Sequence, residues 1–131
     1  MRPTRIEINL SKLNRNIHRI KNRLNSDTAL MAIVKANAYG HGIIEVARQA
    51  LKSGAIALGV AIPEEGIQLR EAGIDCHILV LGSIDVDQID SVLNYDLSVC
   101  IFSMDMARLI NLRAKEKHKK VRVHVKIDSG M

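Results

Sequence analysis

The feature that most constrains the fold of this 131-residue chain is a regular alternation of short apolar runs with longer amphipathic segments. Short apolar runs bounded by turn residues are typical of strands buried in a parallel sheet, and the segments between them carry apolar residues at helical spacing. We therefore predict repeated βα units, with strands at residues 30–34, 55–61, 77–81, 97–102 and 121–127 and helices at 43–51, 63–72, 85–93 and 103–117.

The amino-terminal segment is predicted to add one strand and one helix before these units. Residues 5–10 alternate apolar and polar side chains, which is the pattern of a half-buried strand. From Leu13 onward the apolar residues fall at helical spacing, and Ser11 is a suitable N-cap. We therefore predict an amphipathic helix that ends before the strand at 30–34.

Repeated βα units build either an open doubly wound sheet or a barrel, and hydrophobic periodicity does not choose between them. A doubly wound sheet that binds a dinucleotide carries Gly-x-Gly-x-x-Gly after one strand. That motif follows none of the predicted strands, which weakens the dinucleotide-binding version of the open sheet. Both architectures remain open on the periodicity alone.

The stretch from Leu30 to Gly42 joins an apolar strand, a single lysine and a glycine-rich turn without a gap. Lys35 stands where the strand ends, and Gly40 and Gly42 allow backbone angles that side chains disfavour. In βα folds the chemistry lies at the carboxyl ends of the strands, so Lys35 is a candidate catalytic amine. The alternative is a lysine that only extends to solvent from the end of its strand.

Composition narrows the class of protein. With 47% hydrophobic and 25% charged residues, the chain is expected to form a globular domain, and it shows neither a membrane segment nor a secretory leader. The net charge of +5 is concentrated in residues 113–126, which we interpret as a solvated helix end and not as a nucleic-acid surface. From the absence of both segments we predict a cytoplasmic protein. Cys76 and Cys100 lack metal-ligand spacing, so we expect reduced thiols and no metal site.

Residues 34–42, Val-Lys-Ala-Asn-Ala-Tyr-Gly-His-Gly, closely resemble the signature around the cofactor lysine of alanine racemases. Four more segments resemble the same family in the same order, at residues 7–17, 61–74, 78–82 and 125–131. The resemblance implies a pyridoxal-phosphate enzyme built from a (β/α)8 barrel and a second, β-rich domain. It therefore favours the barrel over the doubly wound sheet.

The resemblance also implies roles for individual residues. Lys35 would carry pyridoxal phosphate and serve as one of two bases at the substrate α-carbon, and Tyr39 would hydrogen-bond the cofactor phosphate. Four further site residues follow in the same way: Ile33 and Leu81 lining the cofactor pocket, Lys126 as a candidate for carbamylation, and Met131 at the edge of the substrate site. His41 forms no constellation with a nucleophile or carboxylate motif, so we predict a structural role in the turn.

By the same resemblance, residues 1–131 hold about five of the eight barrel strands, and the rest of the barrel and the β domain are absent. The family's second base is a tyrosine from a partner subunit, and nothing here matches it. We therefore expect a fragment that is inactive alone, from a homodimeric enzyme that interconverts L- and D-alanine for cell-wall precursors. Its first and fifth strands would be bare edges through which the fragment could self-associate.

Two other functions stay open at this point. Amino-acid decarboxylases with the same type of barrel also carry a lysine after the first strand, although they usually lack the Tyr-Gly-His-Gly sequence found at residues 39–42. The other possibility is a module that binds pyridoxal phosphate, or a protein partner, without turnover. The two alternatives differ in whether Lys35 supports a reaction.

Overall fold

The structure is a computed structural model that describes residues 4–130. Its helices are α1 (Leu10–Lys21), α2 (Ile43–Lys52), α3 (Pro63–Glu71), α4 (Ile89–Asn94) and α5 (Met104–Glu116), and its strands are β1 (Met31–Ile33), β2 (Ala57–Val60), β3 (His77–Val80), β4 (Ser98–Ile101) and β5 (Val123–Val125). A 3-10 turn (Val86–Gln88) precedes α4, and Lys35–Tyr39 form a separate helical turn. Among residues 4–130, no helix combines the length and apolar character that crossing a membrane requires.

The strand order decides between the two predicted architectures. The five strands form one sheet in the order β1-β2-β3-β4-β5, and each neighbouring pair is parallel. A doubly wound sheet reverses its strand order at a switch point, whereas a barrel adds its strands in sequence with every helix on the outside. The described residues therefore form part of a (β/α)8 barrel that does not close, as predicted.

The main core lies between the sheet and its helices. Side chains that point from the strands toward the helices are fully buried, among them Leu58, Val60, Ile78, Val80 and Val99. They pack in one cluster with buried residues of the helices and loops, including Ile43, Ala47, Leu69, Val92 and Ile110. Because strand residues alternate between faces, the neighbours of these positions line the concave face, which is the interior of a closed barrel.

The helix ends follow the signals in the sequence. Pro63 is the first residue of α3, and Ser103 caps α5 by accepting a hydrogen bond from Met106 N at 3.3 Å. Gly54 follows α2 with φ of +98°, a left-handed angle that glycine adopts without strain. The predicted boundaries of α2, α3 and α5 agree with the structure to within one residue, whereas the first part of the predicted helix at 85–93 forms the 3-10 turn before α4.

The prediction of a strand at residues 5–10 is wrong. This segment joins no strand, the side chain of Ile6 is 83% exposed, and α1 already begins at Leu10. Asn9, and not Ser11, caps α1, because its side-chain oxygen accepts from Lys12 N at 2.9 Å. An alternating pattern forms a strand only where a neighbouring strand and a core cover it, and neither lies beside this segment within the described residues.

The fifth strand is the least covered part of the sheet. Among the strands of residues 4–130, β5 pairs only with β4. All three residues of β5 are exposed, whereas all four residues of β2 are buried. The side chains of Val125 and Ile127 are 73% and 82% exposed. β1 and β5 are thus the two edges of the described sheet, as the sequence predicts.

Candidate active site

Lys35 lies at the carboxyl end of the first strand, as predicted. Val34 continues the ladder beyond β1 by donating its N–H to the Gly59 carbonyl at 2.8 Å, and its side chain is almost fully buried. Lys35 follows at once and is partly exposed. Its backbone is therefore fixed by the sheet, while its side chain is not sealed in the core.

The backbone after Lys35 forms a left-handed helical turn, which we call the lysine turn (Lys35–Tyr39). Four consecutive residues that are not glycine have φ between +51° and +55°: Ala36, Asn37, Ala38 and Tyr39. For L-amino acids this conformation costs about 1–2 kcal/mol per residue, so a run of four persists only where its surroundings hold it. Gly40 and Gly42, with φ of +84° and +93°, complete the loop as the sequence predicts.

Asn37 holds the lysine turn against the next helix. Its side-chain oxygen accepts a hydrogen bond from the N–H of Ile43, the first residue of α2, at 2.9 Å. Its carbonyl oxygen accepts from the N–H groups of Gly40 and Gly42 at 3.1 and 3.0 Å. Asn37 thus caps α2 from six residues away, and asparagine is also a residue that tolerates a left-handed angle well.

Glu65 holds the lysine turn against the neighbouring strand. One carboxylate oxygen accepts hydrogen bonds from Ala36 N at 2.6 Å and Asn37 N at 3.4 Å, and the other accepts from Ala61 N at 2.8 Å. Ala61 directly follows β2, and Glu65 lies in the first turn of α3, where a helix favours a negative charge. One carboxylate therefore joins the carboxyl ends of β1 and β2.

His41 also belongs to the turn and not to a catalytic group. Its Nδ1 lies 2.9 Å from the Ala38 carbonyl oxygen and 3.1 Å from that of Tyr39. Because carbonyl oxygens only accept hydrogen bonds, Nδ1 must carry the proton in both contacts. The imidazole therefore binds the backbone of the lysine turn, which is the structural role predicted for it.

Tyr39 and Ile33 share an open cleft beside α1. The cleft has a volume of about 470 Å³ and is lined by both of these side chains together with Lys12, Leu13 and His41. The Tyr39 side chain is 59% exposed, so its hydroxyl is accessible from solvent. Lys35 does not line this cleft, so the structure places Tyr39 and Ile33 together there without the lysine.

Ile33 and Leu81 meet on the concave face above Gly59. A Cβ atom added to Gly59 would lie 2.6 Å from Ile33 Cδ1 and 3.3 Å from Leu81 Cδ1, so the absent side chain leaves room for both. Gly82 is equally confined, since an added Cβ would lie 2.5 Å from the Ala61 carbonyl oxygen. The carboxyl ends of β1, β2 and β3 thus form a continuous, closely packed rim.

Lys126 lies far along the sheet from Lys35. It follows β5, whereas Lys35 follows β1, and three strands lie between them. Its Nζ sits 5.4 Å from the centre of the exposed Phe102 ring, a cation–π contact. The structure therefore does not bring Lys126 and Lys35 together, and Met131 lies outside the described residues.

The two thiols show no sign of activation. Cys76 and Cys100 are both free, and burial raises the pKa of each thiol above its usual value. At Cys100 the positive charge of Lys126 lowers the pKa, but this effect is smaller than that of burial. Both groups therefore stay protonated near neutral pH and are poor nucleophiles.

Comparison with known proteins identifies the family. A family model described as "Alanine racemase, N-terminal domain" matches residues 8–131, which is nearly the whole chain. The chain belongs to the alanine racemase N-terminal domain family. This result agrees with the resemblance at residues 34–42 and favours the racemase over the decarboxylase alternative.

Individual alanine racemases match the chain over most of its length. An alanine racemase of Clostridium novyi is 40% identical over 131 residues, covering 100% of this chain and 34% of that protein. The crystal structure of alanine racemase from E. faecalis superposes with a TM-score of 0.94 at 40% identity, covering 99% of this chain and 35% of that one. For the alanine racemase of Clostridium difficile 630 in complex with cycloserine, the TM-score is 0.85 at 39% identity, with 92% and 32% covered. The chain therefore spans about a third of the length of the curated relatives it matches.

Two residues that shape the candidate site around Lys35 are absent from the sequence-based prediction. Neither Glu65 nor Asn37 is among the site residues that the sequence predicts, although each makes hydrogen bonds that hold the lysine turn. The available signals were the position of Glu65 in the first turn after Pro63 and the high tolerance of asparagine for left-handed angles. Neither signal reveals the partner, because Glu65 and Ala36 are 29 residues apart in the chain.

Proposed function

We propose that residues 1–131 are the amino-terminal part of the pyridoxal-phosphate-binding (β/α)8 barrel of an alanine racemase, with Lys35 as the residue that carries the cofactor. The family match over residues 8–131 supports the proposal. The single observation that carries it is a partly exposed lysine at the carboxyl end of β1, followed by a left-handed turn fixed on two sides. We further propose that the remaining barrel strands and a β-rich domain lie outside residues 1–131, since these residues span 34% of the C. novyi relative.

The residues present fit part of the cofactor. The Lys35 amine can react with the cofactor aldehyde, and the exposed Tyr39 phenol can donate a hydrogen bond to a phosphate oxygen. The apolar surface of Ile33 and Leu81 above Gly59 can pack against the flat pyridine ring. Lys126 and Met131 remain proposals from the family resemblance, the former as a carbamylated residue and the latter at the substrate edge. The described residues supply no obvious partner for the pyridine nitrogen, so we propose that this partner lies outside them.

The chemistry explains why these residue types are needed. When bound, pyridoxal phosphate withdraws electrons from the substrate α-carbon and so makes its proton removable near neutral pH. The Lys35 amine would take or return that proton on one face, and Tyr39 would hold the phosphate end in place. A racemase also needs a base on the opposite face of the substrate α-carbon. We propose that the partner subunit of a homodimer supplies this base, from a part of the protein outside residues 1–131. We therefore propose that this chain alone does not racemise alanine.

The family match also supports proposals for the substrate and the cellular role. The C. difficile relative forms a complex with cycloserine, and the relatives are named for alanine, so we propose alanine as the substrate of the complete enzyme. Its product would be D-alanine for cell-wall precursors. The free thiols of Cys76 and Cys100 support a reducing compartment, and we propose the cytoplasm.

The test is covalent trapping of the cofactor. The chain is incubated with pyridoxal phosphate, reduced with borohydride and mapped by mass spectrometry, and we expect a pyridoxyl adduct on Lys35. Lys12→Ala is the matched control, because Lys12 is another amine beside the cleft of Tyr39 and Ile33, and this variant should keep the label. Labelling of many lysines without preference for Lys35 would contradict the proposal.

We also propose that this chain self-associates through its uncovered edge. β5 and the residues after it expose Val125 and Ile127, which in a closed barrel would be covered by further strands and helices. Adding a second copy at this edge would satisfy the unpaired backbone groups and bury the valine and isoleucine side chains. Sedimentation velocity over a range of concentrations tests this proposal.

A further inference from the structure

Glu65 is a charged side chain that the proposed chemistry does not use, although it makes three hydrogen bonds to backbone N–H groups. Two of these come from Ala36 and Asn37 in the lysine turn, and the third comes from Ala61 after β2. Its neighbour Glu64 lies in the same first turn of α3, and its carboxylate accepts from Gln88 Nε2 at 2.9 Å. Two adjacent carboxylates on one helix turn thus have different tasks.

The contacts of Glu65 fall where the lysine turn most needs support. Ala36 and Asn37 are the first two residues of the left-handed run, and the first N–H groups of any helical turn have no partner within it. Alanine in particular disfavours a left-handed angle because of its Cβ atom. An acceptor outside the turn is therefore required to keep these residues in place, and the Glu65 carboxylate supplies it.

We propose that Glu65 is a positioning residue for Lys35. By binding both the lysine turn and the end of β2, its carboxylate fixes the backbone on which the Lys35 amine and the Tyr39 phenol are mounted, and so sets where these two groups stand relative to the rim of the sheet. This inference rests on the proposed function of Lys35 as the cofactor-binding amine. In this proposal Glu65 acts through the backbone N–H groups that it binds, and not by contact with the cofactor or the substrate.

The first test compares Glu65→Gln with Glu64→Gln, which remove the same charge from adjacent positions. A glutamine has only one accepting oxygen, so it cannot bind the lysine turn and Ala61 N together. With pyridoxal phosphate as the probe and borohydride trapping at timed intervals, we expect Glu65→Gln to slow the labelling of Lys35 about tenfold, as the loss of a charge-assisted hydrogen bond would do. Glu64→Gln should label at the original rate.

The second test needs no cofactor. Amide hydrogen exchange measured by NMR should become about tenfold faster at Ala36 and Asn37 in Glu65→Gln, while core amides such as that of Val80 keep their protection. Adding Ala36→Gly to Glu65→Gln should recover most of the labelling rate, because glycine adopts the left-handed angle without a Cβ penalty. This double variant also provides a folded protein for the comparison if Glu65→Gln alone unfolds.

The outcomes separate this inference from the proposed function. If Glu65→Gln labels Lys35 as fast as the original chain, or if Ala36 and Asn37 keep their exchange protection, the positioning role is overturned while the proposed function stands. If the original chain shows no label on Lys35, the proposed function is overturned, and the positioning of a cofactor amine with it. Faster exchange together with slower labelling supports both.

Discussion

The two ends of the described sheet differ in how firmly they hold the residues assigned to the site. Around β1, β2 and β3 the carboxyl rim is linked residue by residue: the lysine turn binds Glu65, Glu65 binds Ala61 N, and the Ala61 carbonyl accepts from Gly82 N at 3.1 Å. Around β5 the Lys126 side chain contacts the exposed ring of Phe102, and all residues from 122 to 130 are exposed.

This difference shows which part of the site the chain can organise by itself. The end that carries Lys35 is preorganised by contacts among β1, β2, β3 and their following loops, all of which lie within residues 4–130. In the part of the chain that the structure describes, β5, which precedes Lys126, has a neighbouring strand on one side only. The structure of residues 4–130 can therefore hold Lys35, the proposed cofactor amine, in place, whereas residues beyond β5 need further partners before their positions are fixed.

We expect the largest loss of stability from a substitution at Gly82, which lies closest to the backbone of the neighbouring strand end. In Gly82→Ala the new Cβ would lie 2.5 Å from the Ala61 carbonyl oxygen, so the backbone itself must move, and we expect the free energy of unfolding to fall by roughly 3 kcal/mol. Gly59→Ala is the control: its closest contact is the end of the Ile33 side chain, which can rotate, and we expect a loss under about 1 kcal/mol. Urea denaturation measures both, and equal losses would show that the rim is not rigid at Ala61.

The next effect tests how the lysine turn is held. Asn37→Ala removes the cap on Ile43 N and places alanine at φ of +54°, so we expect the free energy of unfolding to fall by about 2 kcal/mol. Asn37→Gly also removes the cap, but glycine adopts the left-handed angle without strain. We therefore expect the free energy of unfolding to fall by about half as much as in Asn37→Ala. The exposed Asn111→Ala in α5 should change stability by less than about 0.5 kcal/mol. A loss for Asn37→Ala as small as that for Asn111→Ala would contradict the role of Asn37.

At the opposite end of the sheet a substitution should alter association more than stability. Val125→Lys places a charge on the exposed edge strand, and we expect it to weaken self-association at least about tenfold while the free energy of unfolding changes by less than about 0.5 kcal/mol. Val86→Lys is matched, since Val86 is 59% exposed but lies away from the sheet edges. Sedimentation velocity compares the variants, and a monomer at every concentration of the original chain would refute the edge proposal.

The smallest effect concerns His77 at the amino end of β3. Burial lowers the pKa of His77 below its ordinary value of 6.5, with further lowering by Arg122, His124 and Arg70 and a smaller opposing effect of Asp96. The His124 ring lies 5.8 Å away, and Ser98 Oγ lies 3.5 Å from Nδ1 of His77.

Because the unfolded chain then binds a proton more readily than the folded chain, stability should decrease as the pH falls below about 6.5 and should stop decreasing below the folded pKa of His77. In His77→Gln this contribution is lost, so the dependence of the unfolding free energy on pH between 5 and 7 should be shallower. Urea unfolding at several pH values measures this dependence in the original chain and in His77→Gln. The same dependence in both proteins would contradict the lowered pKa of His77.

Much of the fold could be predicted from local patterns. The five strands near residues 30, 57, 78, 98 and 122 all occur, since short apolar runs between amphipathic helices leave few other choices. The same reasoning failed at residues 5–10, where apolar and polar residues alternate but no strand among residues 4–130 lies beside the segment. Pattern therefore predicts a strand only where the tertiary structure supplies a partner.

The sequence by itself determined the order of the βα units, the position of Lys35 at the end of a strand and the glycines that close its loop. The tertiary structure decided that the strands follow one another in barrel order, that residues 36–39 are left-handed, and that Glu65 holds them. The reason is range: periodicity and turn chemistry act between residues a few positions apart, whereas the contact between Glu65 and Ala36 spans 29 residues and exists only because β1 and β2 pair in parallel.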